Sequence, residues 1–187
     1  MGRGYGAPAI SNEGIFINAE DNDSSYTVCL DHQGNFRWQS PNGLEFTGID
    51  FTASYPGTRS TPTIKGNKVY AASGTGHLSC CDIRDGTIGW AVDMVNDFQG
   101  VPGEFGYSES PVVDQHKVYC FTGGKVNNMV ALDRNTGELV WAAPLHRDSF
   151  AYGTPILLTL PEREVVVGSS RNFIYVVDKM DRSLLAD

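Results

Sequence analysis

A chain of 187 residues with 22 Asp and Glu against 14 Lys and Arg carries a formal net charge of −8. That balance argues against a nucleic-acid surface, which needs clustered Lys and Arg. No run of about 18 apolar residues exists, so no membrane-spanning helix is expected.

Met1-Gly2-Arg3-Gly4-Tyr5 leads straight into a turn and a strand rather than an apolar helix, so no signal peptide is expected in this chain. The first strands are expected from Ala7-Pro8-Ala9-Ile10, a turn at Asn12-Glu13-Gly14, and Ile15-Phe16-Ile17. The next loop, Ala19 to Ser25, is acidic. Asp21 and Asp23 offer alternate oxygens to a hard cation, but the loop has no Gly at the sixth position and no acid at the twelfth. A solvated hairpin tip is the expectation, and no metal site is assigned. The unit closes at Trp38.

Ser60 to Trp90 repeats the pattern, with a hairpin turn at Gly74-Thr75-Gly76 and an adjacent pair, Cys80-Cys81. Ser110 to Trp141 shows it most plainly. Val112-Val113, Lys117 to Phe121, Met129 to Leu132 and Glu138 to Trp141 are β-prone runs separated by clusters of turn formers. A fourth copy runs from Thr154 to about Leu185, where Ser183-Leu184-Leu185 stands in place of the Trp-bearing strand. The tryptophans recur every 51 or 52 residues, and Asp31, Asp82, Asp133 and Asp178 each end a strand.

A period of about 45–50 residues with four strands per unit is the signature of a β-propeller blade. The fold class expected is therefore all-β, with four-stranded antiparallel blades at about 7–38, 60–90, 110–141 and 154–187, forming one domain. Pro, an apolar strand, Lys-Val-Tyr, Gly-x-Gly, a strand ending in Asp, then x-x-x-Gly and x-x-Trp: this pattern resembles the repeat of the quinoprotein alcohol dehydrogenase-like propellers, called PQQ-like repeats. More closely, Pro56 to Thr63, Asp97-Phe98 and Phe105 to Pro111 resemble bacterial PQQ-binding-like propeller proteins, often labelled alcohol dehydrogenases by similarity alone.

The resemblance implies a ring of seven or eight blades, of which this chain holds about four. A partial propeller leaves two blade faces uncovered. The partners it implies are the remaining blades or a second copy of the chain, and a periplasmic or surface location follows from the resemblance alone. The family cofactor would be PQQ with calcium in a full-length protein, requiring a Glu and Asn calcium set, a catalytic Asp and a Trp floor. None of these falls on a matching motif here; Asp50 and Asp97 are merely available acids, and no catalytic residue is assigned.

Aligning the copies puts Cys29, Cys80 and Ala131 in one slot that wants a small residue because the neighbouring blade's Trp is expected to pack there, and Cys120 where the second copy has Ala71. The cysteines are thus read as structural, as are Trp38, Trp90 and Trp141 between blades. The four histidines lack ligand spacing and are expected to be mostly exposed.

Binding groups are expected in the segments between blades, Gln39 to Arg59, Ala91 to Glu109 and Ala142 to Gly153, which cross one face towards the central channel. The first carries Phe46, Phe51, Tyr55 and Arg59; the second Phe98, Phe105, Tyr107 and Glu109; the third His146, Arg147, Asp148 and Tyr152. Register places Arg59 and Glu109 before successive inner strands. They are expected to meet as an ion pair at the channel mouth, flanked by Tyr107 and Tyr152, and these four are the candidate ligand-binding residues. Two functions stand: a binding or scaffolding propeller, or part of a PQQ-dependent oxidoreductase.

Overall fold

A computed structural model describes residues 2–145 and 152–186. It contains four four-stranded antiparallel sheets in sequential meander order. The first comprises β1 (Ala9–Ser11), β2 (Gly14–Asp21), β3 (Ser24–Leu30) and β4 (Phe36–Leu44); the second, β5 (Thr63–Lys65), β6 (Lys68–Ala72), β7 (His77–Asp82) and β8 (Ile88–Asp93). The third holds β9 (Val112–Val113), β10 (Lys117–Phe121), β11 (Met129–Asp133) and β12 (Leu139–Ala143); the fourth, β13 (Ile156–Thr159), β14 (Glu164–Ser169), β15 (Ile174–Asp178) and β16 (Leu184–Ala186). β4 continues to Leu44, six residues beyond Trp38, so the first inter-blade segment begins later than the sequence suggests.

One register recurs in every blade. Phe16 faces Cys29, which faces Trp38; Tyr70 faces Cys80, which faces Trp90; Tyr119 faces Ala131, which faces Trp141. Immediately after that Cys or Ala, and after Val176 in the fourth blade, the pairing shifts by one residue, a β-bulge that re-aims the closing strand. The small residue is required because it lies directly across the strand from the Trp of its own blade, not beneath the neighbouring blade's Trp as the repeat alignment suggests. Cys80 and Cys81 point to opposite faces of their sheet: Cys80 packs towards the third blade and Cys81 towards the first. All four cysteines are free and buried, and burial pushes the Cys81 thiol up to about 12.

Each Trp packs at about 6 Å and about 51° against the ring on its own inner hairpin: Phe16–Trp38, Tyr70–Trp90 and Tyr119–Trp141. It then docks on the β3–β4-type turn of the following blade. Trp90 Nε1 donates to the Arg134 carbonyl at 3.0 Å and Trp141 Nε1 to the Lys179 carbonyl at 3.2 Å, whereas Trp38 Nε1 has no partner among the described residues. The turn must let the indole in. A Cβ on Gly86 would stand 2.6 Å from the Trp38 ring and one on Gly137 2.7 Å from the Trp90 ring, and both glycines have φ of +75°. In the fourth blade Arg182, at φ +61°, holds that place and reaches the Ala142 carbonyl. Ala186 pairs with Val176 where the other blades pair Trp. Between the third and fourth blades, the Lys179 ammonium sits 2.7 Å from Asp114 and 2.9 Å from Glu164. The Lys179 and backbone hydrogen bonds hold Asp114 below the usual carboxylate range despite its burial.

A second link runs nearer the inner strands, through the residue before each blade's proline. Ala7 N donates to Thr61 Oγ1 at 3.1 Å, Thr61 N to Ser110 Oγ at 2.9 Å, and Ser110 N to Thr154 Oγ1 at 3.0 Å.

Candidate functional site

The segments between blades build two layers, one exposed and one buried. In the first segment, residues 50–54 form a 3-10 turn closed by Thr52, whose hydroxyl accepts from Ile49 N and donates to the Ile49 carbonyl. The Arg59 guanidinium then staples the rest of the loop by donating to the Gly57 and Tyr55 carbonyls. Its flat faces meet rings: Arg59 Cζ lies 5.0 Å from the Phe46 centroid, 5.3 Å from Tyr5 and 5.7 Å from Phe105.

Phe105, on the second segment, joins this cage to further rings. It meets Phe51, Tyr55 and Tyr152 at 6.3–6.4 Å in edge contacts, and Phe51 and Tyr55 lie 5.4 Å apart. Tyr152 Oη accepts from Phe105 N at 3.2 Å, so the third segment is tied in as well. Three segments from three blade junctions therefore converge on one platform. It is open to solvent: Phe51 is 66% exposed and Tyr5 60%, with Ile49 beside them at 78%. Exposed rings held by their neighbours form a preordered apolar surface around a fixed cation.

The four candidates from the sequence separate between the layers. Arg59 and Tyr152 belong to the platform, bridged by Phe105. Tyr107 and Glu109 are buried beneath it, and Tyr107 Oη donates to the Thr122 carbonyl at 2.8 Å. The expected Arg59–Glu109 ion pair is not formed: Arg59 spends its donors on carbonyls, and neither Glu109 oxygen has a hydrogen-bond partner among the described residues. The physical reason is register. Counting from Pro62 and Pro111, it is Ser60 that corresponds to Glu109, and Arg59 to Ser108. Burial lifts the Glu109 carboxyl well above its ordinary 4.5. His146, Arg147 and Asp148 lie outside the described residues. His77 is half-buried rather than exposed, and burial lowers its pKa.

Sequence reasoning missed Tyr5, which lies before the first repeat and so has no counterpart to mark it. It also missed Glu45, whose Oε1 accepts from Phe46 N at 2.8 Å and Gly74 N at 2.7 Å, tying the first segment to the second blade. No signal in the sequence marks Glu45: the buried positions of the strand before it are Trp38, Ser40 and Asn42, which show no apolar alternation.

The residues present do not fit PQQ with calcium. A calcium site takes six to eight oxygens, and among the described residues no three His, Cys, Asp or Glu converge. Asp97 is committed to Asp93 N at 2.8 Å, and Asp50 begins the 3-10 turn at φ +49°. All three tryptophans are packed between blades, leaving none as a floor.

A family model described as outer membrane protein assembly factor BamB matches residues 23–185. BamB of Kangiella koreensis is 30% identical over 128 residues, which are 68% of this chain and 28% of that protein. The crystal structure of BamB from Moraxella catarrhalis superposes with a TM-score of 0.60 and 18% identity, over 96% of this chain and 46% of that one. The quinohemoprotein alcohol dehydrogenase of Comamonas testosteroni superposes with a TM-score of 0.68 and 16% identity, over 96% of this chain and 34% of that one. The chain thus spans less than half the length of each, and the two structural likenesses speak for the propeller fold alone.

Proposed function

The chain belongs to the outer membrane protein assembly factor BamB family of PQQ-like-repeat propellers, and from that premise we propose that it is a binding and scaffolding propeller rather than part of an oxidoreductase. The observation that carries this reading is the platform. Rings from Tyr5, Phe46 and Phe105 surround Arg59, and Phe105 joins them by edge contacts to Phe51, Tyr55 and Tyr152, while the guanidinium is already bonded to the backbone. Such a surface offers large, rigid contact area at low entropic cost.

The ligand that suits it is a polypeptide segment presenting apolar or aromatic side chains, with Arg59 favouring a nearby acidic group. A periplasmic setting accords with the name of the family. Propeller blades beyond these four would add surface to the same face.

The test is a panel of aromatic-rich peptides, with and without an acidic residue, titrated calorimetrically against the wild type and the double variant Phe51→Ser/Tyr55→Ser. Saturable binding that weakens at least about tenfold in the variant supports the reading, that being a loss of about 1.4 kcal/mol. The same titration with PQQ in calcium buffer provides the contrary outcome: tight PQQ binding without peptide binding would overturn it.

A further inference from the structure

At each junction, the residue two beyond the ring that faces Cys or Ala stands near the residue two before the next blade's proline. The first junction has Asn18 and Ser60, and the amide is satisfied: Asn18 Nδ2 donates to Ser60 Oγ at 3.0 Å and to the Ser60 carbonyl at 3.2 Å. The third has, by register, Phe121 and Gly153, and the Phe121 ring stacks on Tyr175 at 6.4 Å. The second has Ala72 and Glu109. A methyl stands where the first junction has an amide, so the carboxyl is left without a partner and a space opens beside it.

That space is a cavity of about 10 Å³ whose lining includes Ala72, Met94, Tyr107, Glu109, Cys120 and Phe121. It has room for about one small guest. Glu109 is only 8% exposed, and neither of its oxygens has a hydrogen-bond partner among the described residues; Ser108 Oγ is likewise buried and unpartnered. Buried polar groups left unsatisfied are uncommon and point to a missing partner. Met94 and Cys120 line the same cavity, are 2% and 7% exposed, and bring a thioether and a free thiol.

We propose that this cavity is a site for a single soft monovalent cation of the copper(I) class, held by the Cys120 thiolate, the Met94 thioether and a Glu109 oxygen. Sulfur donors select soft cations, and a site with two of them is a poor match for calcium or magnesium. The exchange balances. The cation enters, the Cys120 S–H bond breaks, its proton leaves to solvent and a metal–sulfur bond forms. No electron is transferred, and the net charge inside the cavity stays as it was, which a buried site strongly favours. Glu109, whose side chain lines the cavity with neither oxygen bonded among the described residues, contributes one carboxyl oxygen. A water molecule would satisfy Glu109 but leave both sulfurs unused.

The test uses the full chain, reduced and anaerobic, with silver(I) as a redox-inert probe and native mass spectrometry alongside competition titration. One tight equivalent per chain is expected. It should be lost in Cys120→Ala and weakened about tenfold or more in Met94→Leu. Alanine is the residue the second blade carries at the matching place, Ala71, so Cys120→Ala is compatible with the fold. Ala72→Asn supplies the amide found at the first junction; it should fill the cavity and abolish the tight equivalent while leaving thermal unfolding cooperative. The proposal is overturned if Cys120→Ala and Ala72→Asn take up silver as the wild type does, which would place the metal on Cys29, Cys80 or Cys81. It is equally overturned if no tight equivalent binds at all.

Discussion

The outer and inner halves of the blade junctions obey different rules. Towards the rim, one device is used three times with little change: a ring on the inner hairpin, a small residue, a bulge, and a Trp laid on the next blade's turn. Beside the inner strands the same backbone carries Asn18 with Ser60, Ala72 with Glu109, and Phe121 with Gly153, three different chemistries. Repetition marks what the fold requires, because each junction must bury the same faces. Departure from the repeat marks where a side chain is free to serve something else, and the unpartnered carboxyl is the sharpest departure.

Truncating a rim Trp is the strongest way to break this contrast. Trp90→Ala is expected to cost about 3–5 kcal/mol, seen as a lowered denaturant midpoint. Trp38→Ala should cost about 1 kcal/mol less, because the Trp38 indole N–H makes no hydrogen bond among the described residues whereas that of Trp90 does. Equal losses would mean that the Arg134 carbonyl adds nothing.

Next in size is the glycine seat. Gly137→Ala forces a methyl into the Trp90 ring and holds Ala at positive φ, for an expected loss of about 1–3 kcal/mol. Gly34→Ala, also at positive φ but with nothing within 4 Å of the new Cβ, should cost only the backbone part, about 1 kcal/mol. A thermal-melt comparison of the two isolates the indole contact.

The smallest effect tests the inner half. Glu109 has a raised folded pKa, so folding is unhindered by it below the ordinary value of 4.5, where both states are protonated. As pH rises above that value the unfolded carboxyl ionises first and native stability is lost progressively. The stability of Glu109→Gln minus that of the wild type should therefore grow from pH 4 to pH 8. A difference that stays flat would show that Glu109 is solvated or paired.

Much of the rim was readable from the chain itself. Cys29, Cys80 and Ala131 identify one slot, and Trp38, Trp90 and Trp141 another, because packing at each junction imposes the same residue sizes at the same period. The platform was readable only as composition: Phe46, Phe51, Tyr55 and Phe105 lie in the segments named, but nothing periodic says that they meet, and Tyr5 comes from outside the repeats altogether. The Arg59–Glu109 pair failed because both residues precede a proline by similar but unequal distances, and one residue of register sends a side chain to the opposite side. That Glu109 has no partner among the described residues follows from Ala72, thirty-seven residues earlier, a relation that only three-dimensional register exposes.

The amides of Ala7, Thr61 and Ser110, each bonded to a hydroxyl of the following blade, give every junction its own reporter. Each is lost when its two blades part, so their hydrogen-exchange rates, taken together, report on the separation of the blades. The three donors face the same way along the chain: in each, the amide before one blade's proline is held by the hydroxyl before the next blade's proline. Loosening one blade should therefore deprotect the amide immediately before it, so the pattern of exchange gives the direction as well as the position of a disturbance.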